Sequence, residues 1–168
     1  MGNLPPLLKS AQYVADSGIM LTTLIAIVIS QATPTTDRLP NALERAVLHS
    51  LRQVESGGHP DPKNAVGDNG RAIGPYQIHR QYWQDAVQFR PSLGGTYESC
   101  RETAYAEQVI LAYWDRYATP AIKTYAKFHT LDRLATAEIL ARIHNGVPSG
   151  NSNPKTFAYW LRVKQHLR

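Results

Sequence analysis

Cysteine is nearly absent from this sequence, because Cys100 is the one cysteine among 168 residues. A single thiol excludes both a disulfide within the chain and a zinc site built from cysteines. A domain of about 130 residues can still bury a sufficient apolar core without cross-links, and 43% of these residues are hydrophobic. We therefore predict that Cys100 is a small core residue rather than a reactive thiol.

Acidic residues are outnumbered, and long basic runs are missing. The 18 Lys and Arg exceed the 13 Asp and Glu, so the formal net charge is +5. Such a balance favours polyanionic partners, which include nucleic acid, anionic lipid and the acidic polymers of a bacterial wall. No run of five or more basic residues occurs, so a nucleic-acid-binding arm is not predicted. The 6 His residues show no metal-ligand spacing, and neither a metal nor a cofactor is predicted.

The apolar stretch near the N-terminus is too short to cross a bilayer. Gly18–Ile29 would rise only about 18 Å as a helix, against a hydrocarbon core of roughly 30 Å. It fits the apolar region of a secretory signal, and Ser30-Gln31-Ala32 offers small residues for cleavage. We predict a signal peptide over 1–32, with a retained membrane anchor and a buried helix as alternatives. A linker over 33–40 and a folded domain over 41–168 follow, which implies a secreted or periplasmic protein, anchored if the segment is retained.

Helical periodicity dominates the remaining chain. Apolar residues recur at helical spacing from the candidate N-cap Asn41 to Gly57, which ends the helix. Strand patterns are confined to residues 66–73, where Asp68-Asn69-Gly70 predicts a tight turn. The predicted fold class is therefore α+β, predominantly helical. Further helices are predicted over residues 76–89, 99–117, 121–128, 131–143 and 154–166. Residues 145–146 are expected to terminate the fourth of these helices.

Glu55 is the leading candidate for acid chemistry, because it falls in the last turn of the first predicted helix. There it faces the negative end of the helix dipole, and apolar neighbours oppose ionisation further, so a raised pKa is predicted. A general acid that works near neutral pH needs such a pKa. Asp68 supplies a second carboxylate, with Asp61 as the alternative. One protonated and one ionised carboxyl group across a cleft can cleave a glycosidic bond.

Short motifs around these carboxylates follow one another in a specific order. Glu55-Ser56-Gly57 precedes Asp68-Asn69-Gly70 and Gly74-Pro75-Tyr76-Gln77-Ile78. With this order and spacing, over about residues 50–162, the chain resembles the invertebrate-type lysozymes of the destabilase family, within the lysozyme-like superfamily. The downstream motifs that share the resemblance are Tyr97–Cys100, Tyr113–Ala118, His144–Gly150 and Phe157–Trp160.

The resemblance implies a lysozyme-like fold in which a short hairpin or loop follows the catalytic helix. It also implies hydrolysis of the β-1,4 bond between N-acetylmuramic acid and N-acetylglucosamine in bacterial peptidoglycan. Glu55 is then the expected general acid, and Asp68 the second carboxylate. The expected substrate-binding residues are Tyr76, Gln77, His144, Asn145 and Gly146.

Each of the expected binding residues also has a purely structural interpretation. Gln77 is expected to bind a sugar acetamido group and Tyr76 to stack on a pyranose ring, whereas the alternative is that both only begin a helix. For the segment His144-Asn145-Gly146, the alternative to lining the cleft is a plain helix C-cap.

Two departures from the family pattern matter. The family is densely disulfide-bonded, whereas this chain has Cys100 alone, so its stability must come from packing. One extra residue also lies between Glu55 and the Gly-x-x-Gln-Ile segment, which leaves the choice between Asp68 and Asp61 open. We find no Ser/His pair that would extend the family's isopeptidase activity to this chain.

Two other functions remain open at this stage. A lytic transglycosylase needs one catalytic carboxyl group and leaves 1,6-anhydromuramic ends. A non-catalytic module on the same fold would bind the wall without cleaving it. In all three cases the expected partner is peptidoglycan and not nucleic acid.

Overall fold

The computed structural model describes residues 38–168, which form six α-helices and one small antiparallel sheet. The predicted signal or anchor over residues 1–32, and most of the predicted linker, lie outside the described residues. Within residues 38–168 there is no helix both long and apolar enough to cross a membrane. The elements are α1 (Ala42–Ser56), β1 (Val66–Gly67), β2 (Ala72–Ile73), β3 (Ile78–His79), α2 (Arg80–Phe89), α3 (Thr103–Tyr113), α4 (Thr119–Tyr125), α5 (Arg133–Gly146) and α6 (Phe157–His166).

Helix α1 begins and ends where the sequence predicts. The Asn41 side chain accepts from the Glu44 backbone N–H (2.9 Å), and the Glu44 carboxylate accepts from the Asn41 backbone N–H (2.8 Å). This reciprocal capping box satisfies two donors that a helix N-terminus leaves free. Apolar side chains such as Val47 and Leu51 are fully buried on the inner face. Gly57 caps the C-terminus, so Glu55 lies in the last turn as predicted.

The three-stranded sheet is antiparallel in the order β1-β2-β3 and is built from strands of two residues each. Between β1 and β2, Asp68 and Asn69 have φ angles of 46° and 54°, which confirms the predicted tight turn. The hydroxyl of Tyr97 lies 2.8 Å from the carbonyl oxygens of both Arg71 and Ile78. This contact attaches the small sheet to the helical body.

The core is formed mainly by the helices, with Trp114 among its largest fully buried side chains. Cys100 is also fully buried, which confirms its predicted place in the core. Helices α1, α5 and α6 pack on one another, while α2 packs on α3. The packing sets the C-terminal turn of α1 next to the C-terminal half of the chain.

Two predicted helices are wrong in their boundaries. The helix predicted over residues 76–89 begins only at Arg80, because Gln77 has a φ of 48° and the next two residues form β3. The helix predicted over residues 99–117 is divided into a 3₁₀ turn, α3 and a π-helical turn, Trp114–Ala118. Pro120 lacks the N–H that would continue a regular α ladder, which accounts for the irregular turn before it.

Candidate active site

A cleft of about 600 Å³ lies between the end of α1, the small sheet, α2 and the end of α5. Sequence reasoning nominated seven residues for catalysis and binding. The structure brings five of them to this cleft and leaves two out. The lining residues are Glu55, Asp68, Ala72, Gln77, Ile78, His79, Gln81, Tyr82, His144 and Asn145.

Glu55 is largely enclosed, with its side chain 19% exposed. Burial raises the pKa of Glu55 above its ordinary value, while a hydrogen bond from Tyr159 and the charge of Arg162 oppose this shift. The Tyr159 hydroxyl donates to Oε1 of Glu55 over 2.7 Å. The predicted direction of the shift is confirmed, and removal from water is its main cause. Such a group retains its proton to a higher pH than an exposed glutamate does.

His144 lies next to Glu55 and is uncharged at neutral pH. Its Nε2 is 3.9 Å from Oε1 of Glu55, and its Nδ1 is 3.3 Å from the Tyr82 hydroxyl. Burial lowers the pKa of His144 to about 4, and a hydrogen bond with the Tyr76 backbone opposes this shift. The imidazole therefore closes one side of the Glu55 pocket without contributing a positive charge.

Asp68 lies at the turn of the hairpin and is more open to solvent than Glu55. Its carboxylate accepts a hydrogen bond from Arg71 over 2.8 Å, and Nε2 of His79 lies 3.5 Å from its other oxygen. The alternative second carboxylate, Asp61, does not line the cleft. Its carboxylate instead accepts from Asn64 over 2.7 Å, and this hydrogen bond lowers the pKa of Asp61. Of these two aspartates, the cleft contains Asp68.

Gln77 lines the cleft through an unusual backbone conformation. Its φ of 48° lies in the left-handed region, which non-glycine residues rarely adopt. The side-chain amide donates to the Gly74 carbonyl over 2.8 Å. A Cβ at Gly67 would lie 2.3 Å from Oε1 of Gln77, so only glycine admits the side chain in this position. The hairpin thus holds Gln77 in one orientation at the edge of the cleft.

Two of the predicted binding residues do not line the cleft, and we correct both predictions. The Tyr76 side chain is only 1% exposed, and its hydroxyl donates to Glu107 over 2.7 Å, so its ring is a core element and not a sugar platform. Gly146 is the last residue of α5, where a Cβ would lie 2.4 Å from Thr156. Its small size allows the end of α5 to approach Thr156 closely.

A second depression of about 420 Å³ adjoins the cleft. Glu55 and Gln77 line both spaces. The other residues of the second depression are Val54, Ser56, Gly57, Gly58, His59, Pro60, Ala65, Val66 and Gly67.

Sequence reasoning missed the residue in closest contact with the Glu55 carboxyl group. Tyr159 belongs to a motif that the resemblance includes, yet it lies 104 positions from Glu55 and no local pattern joins them. Tyr82, His79 and Gln81 also line the cleft without a prior role. The spacing of these three residues matches neither a strand nor a helix, because β3 ends and α2 begins between them. The sequence pattern therefore did not indicate that they share one face.

The chemistry available in the cleft is that of carboxyl groups in unlike surroundings. Within residues 38–168 there is no group of three or more His, Cys, Asp or Glu side chains that could hold a metal ion. Glu55 is enclosed and has a raised pKa, whereas Asp68 is open to solvent and forms a salt bridge with Arg71. Environments that differ in this way separate an acid role from a charge-stabilising role.

The helical fold and its cleft define the class of protein, which is a lysozyme-type glycoside hydrolase. The chain belongs to the Destabilase family, whose model matches residues 45–166. It is 28% identical to a lysozyme of Ostrea edulis over 142 residues, which cover 84% of this chain and 90% of the relative. It is also 28% identical to invertebrate-type lysozyme 3 of Caenorhabditis elegans, over 70% of this chain and 81% of the relative.

Solved structures agree with this family assignment. The lysozyme of Tapes japonica superposes with a TM-score of 0.55 at 28% identity, covering 72% of this chain and 88% of that chain. A structure of Aeromonas hydrophila PliI in complex with Meretrix lusoria lysozyme matches with a TM-score of 0.55 at 26% identity, covering 76% and 93% of the two chains. The predicted fold class and family are thereby confirmed.

Proposed function

We propose that this enzyme is a muramidase, which hydrolyses the β-1,4 bond between N-acetylmuramic acid and N-acetylglucosamine in peptidoglycan. Glu55 is the general acid, and Asp68 is the second carboxylate. The observation that carries the proposal is the enclosed Glu55, whose pKa burial raises, in one cleft with the exposed Asp68. The lysozyme relatives support the substrate class.

The first chemical step is proton transfer to the leaving group. Glu55 gives its proton to the glycosidic oxygen, the bond from that oxygen to C1 breaks, and the bonding electrons leave with the oxygen. The positive charge that develops at C1 is stabilised by the ionised Asp68. Water then adds its oxygen to C1 and gives one proton to the Glu55 carboxylate, which restores the starting state of the site.

The contacts of Asp68 suit a carboxylate that is held in one orientation. Arg71 donates a charge-assisted hydrogen bond to one carboxylate oxygen, which leaves the rest of the group free toward the cleft. His79 approaches the other oxygen at 3.5 Å. Because Asp68 is at the turn of a short hairpin, these side chains supply the orientation that the two-residue strands cannot.

The decisive experiment replaces each carboxylate with its amide. Glu55→Gln is expected to lower the rate at which purified peptidoglycan is cleared by at least about 10²-fold, which is the lower limit of the contribution of general acid catalysis. Asp68→Asn is expected to lower the rate strongly while the fold persists, as judged by circular dichroism. Glu98→Gln and Asp61→Asn are the matched controls, since both carboxylates lie outside the cleft. Full activity in Glu55→Gln would overturn the proposal.

Mass spectrometry of the released fragments separates the alternative functions. Reducing ends indicate hydrolysis, whereas 1,6-anhydromuramic ends indicate a lytic transglycosylase. Binding of the wild-type protein to the wall without any release of fragments indicates a non-catalytic module. The presence of Asp68 in the cleft favours hydrolysis, because the lyase reaction needs a single carboxyl group.

Export of the enzyme is a further part of this proposal. The apolar stretch before residue 33 and the small residues that follow it are consistent with a cleaved signal and an antibacterial protein outside the cell. Mass measurement of the protein recovered from culture medium is expected to show a chain that starts at Thr33. An intact N-terminus in a membrane fraction would support the retained anchor instead.

A further inference from the structure

The two carboxyl oxygens of Glu55 have different surroundings. Oε1 accepts the hydrogen bond from Tyr159 at 2.7 Å and also faces the His144 imidazole at 3.9 Å. Oε2 has no hydrogen-bond partner among residues 38–168, while Glu55 as a whole lines the cleft. The protein therefore occupies one oxygen and leaves the other to a substrate.

In this contact the Tyr159 hydroxyl donates to Oε1 of Glu55. Tyr159 is 3% exposed, and burial raises its pKa well above the ordinary value for tyrosine, so the hydroxyl keeps its proton across any working pH. A protonated carboxyl group has one carbonyl oxygen, the stronger acceptor, and one O–H. A donor fixed on Oε1 makes Oε1 the carbonyl oxygen and puts the proton on Oε2.

We propose that Tyr159 is the positioning residue of the general acid: it holds Oε1 and so directs the acidic proton of Glu55 to Oε2, toward the glycosidic oxygen. This inference rests on the proposed function of Glu55. A carboxyl group without this hydrogen bond would rotate and carry its proton on either oxygen, and one of the two placements points away from the substrate.

The other ionisable groups around Glu55 do not perform this task. His144 is 3.9 Å away and uncharged at neutral pH, which is too far for a hydrogen bond to Oε1. Arg162 acts on Glu55 through its charge and not through a hydrogen bond. The titratable and charged groups that face Glu55 are Tyr159 and Arg162 from α6, His144 from α5, Tyr82 from α2, and Asp68 and His79 across the cleft.

The test is the pH–rate profile of Tyr159→Phe, which keeps the ring and removes the donor. We expect kcat at the optimum to fall about tenfold, a part of the roughly 10²–10⁴ that general acid–base catalysis supplies, with KM unchanged. The basic limb of the profile is expected to move to higher pH, because the lost hydrogen bond had lowered the pKa of Glu55. An unchanged kcat together with an unmoved limb would overturn the proposal.

Arg162→Gln separates positioning from simple electrostatics. Its loss removes the second influence that lowers the pKa of Glu55, so the basic limb again moves to higher pH. Since Arg162 does not hold a carboxyl oxygen, kcat at the optimum is expected to stay within about twofold of the wild type. An equal fall of kcat in both variants would reduce Tyr159 to an electrostatic role and overturn the inference.

A titration without substrate makes the result independent of the reaction. In protein carrying ¹³C-carboxyl glutamate, the Glu55 resonance is assigned by its disappearance in Glu55→Gln. We expect its titration to move to higher pH in Tyr159→Phe but not in Tyr76→Phe, whose buried hydroxyl donates to Glu107 over the same 2.7 Å. Full activity in Glu55→Gln would overturn the proposed function, but the titration would still test the contact between Tyr159 and Glu55. A Glu55 titration that does not move in Tyr159→Phe would overturn the positioning role of Tyr159.

Discussion

His144 lies beside Glu55, with Nε2 of the imidazole 3.9 Å from Oε1 of the carboxyl group and the residue only 8% exposed. Burial lowers the pKa of His144 to about 4 in the folded chain, from an ordinary value of 6.5. Between these two pH values the unfolded chain binds a proton that the folded chain does not. Stability therefore falls as the pH drops through this window.

His144→Gln is expected to weaken this acid sensitivity. The wild-type protein should lose up to about 3 kcal/mol of unfolding free energy from His144 between pH 7 and pH 4, and the variant should lose correspondingly less. Urea unfolding at pH 4, 5, 6 and 7 measures both slopes, and the exposed His166→Gln serves as the control. Equal slopes in wild type and His144→Gln would contradict an uncharged His144.

Glu55→Gln is expected to stabilise the fold while it removes activity. Below the ordinary carboxyl pKa of 4.5, Glu55 is protonated in both states and the substitution changes little. At higher pH the unfolded chain ionises first, because burial raises the pKa of Glu55 in the folded chain, so the wild type loses stability. Thermal unfolding at pH 8 should favour the variant by about 1 kcal/mol, with no difference at pH 4. A stability difference between the variant and the wild type that is the same at pH 4 and at pH 8 would contradict the raised pKa.

Gly67→Ala is expected to impair substrate binding through Gln77. The new Cβ would lie 2.3 Å from Oε1 of Gln77, so the side chain must leave its position at the cleft. KM should rise about fivefold, as expected for the loss of one hydrogen bond, with kcat little changed. The double variant Gly67→Ala/Gln77→Ala should match Gln77→Ala alone; additive effects would show that Gly67 acts by another route.

The Cys100 thiol is expected to be unreactive in the folded protein. It is fully buried, and burial raises its pKa to about 12. A chromogenic disulfide reagent at pH 8 should label it only as fast as the protein unfolds, and immediately in concentrated urea. A reductant should leave the thermal midpoint unchanged, because the chain has one cysteine. Rapid stoichiometric labelling without urea would place the thiol at the surface.

Local patterns predicted helix α1 well because everything that determines it is close in sequence. Asn41 caps the helix through a residue three positions away, and Gly57 ends it. The raised pKa of Glu55 was also predicted, although burial is its main cause. The π-helical turn Trp114–Ala118 was not predicted, since apolar periodicity continues through it up to Pro120.

The parts of the site that sequence reasoning missed depend on contacts between distant segments or on side-chain direction. Tyr159 reaches Glu55 across 104 positions. Tyr76 and Gln77 are neighbours in one motif, yet the first enters the core and the second lines the cleft. The left-handed backbone conformation of Gln77 helps to turn its side chain toward the cleft. Sequence patterns do not predict that conformation at a non-glycine residue.

The proposed catalytic pair is held with unequal stiffness. Glu55 lies in the last turn of a helix of 15 residues packed into the core, whereas Asp68 lies at the turn of a hairpin whose strands have two residues each and which Tyr97 contacts. Changes within the hairpin can therefore alter the gap between the carboxyl groups and leave the acid undisturbed. Because that gap selects between retention and inversion at the anomeric carbon, engineering of product stereochemistry should begin in residues 66–73 rather than in α1.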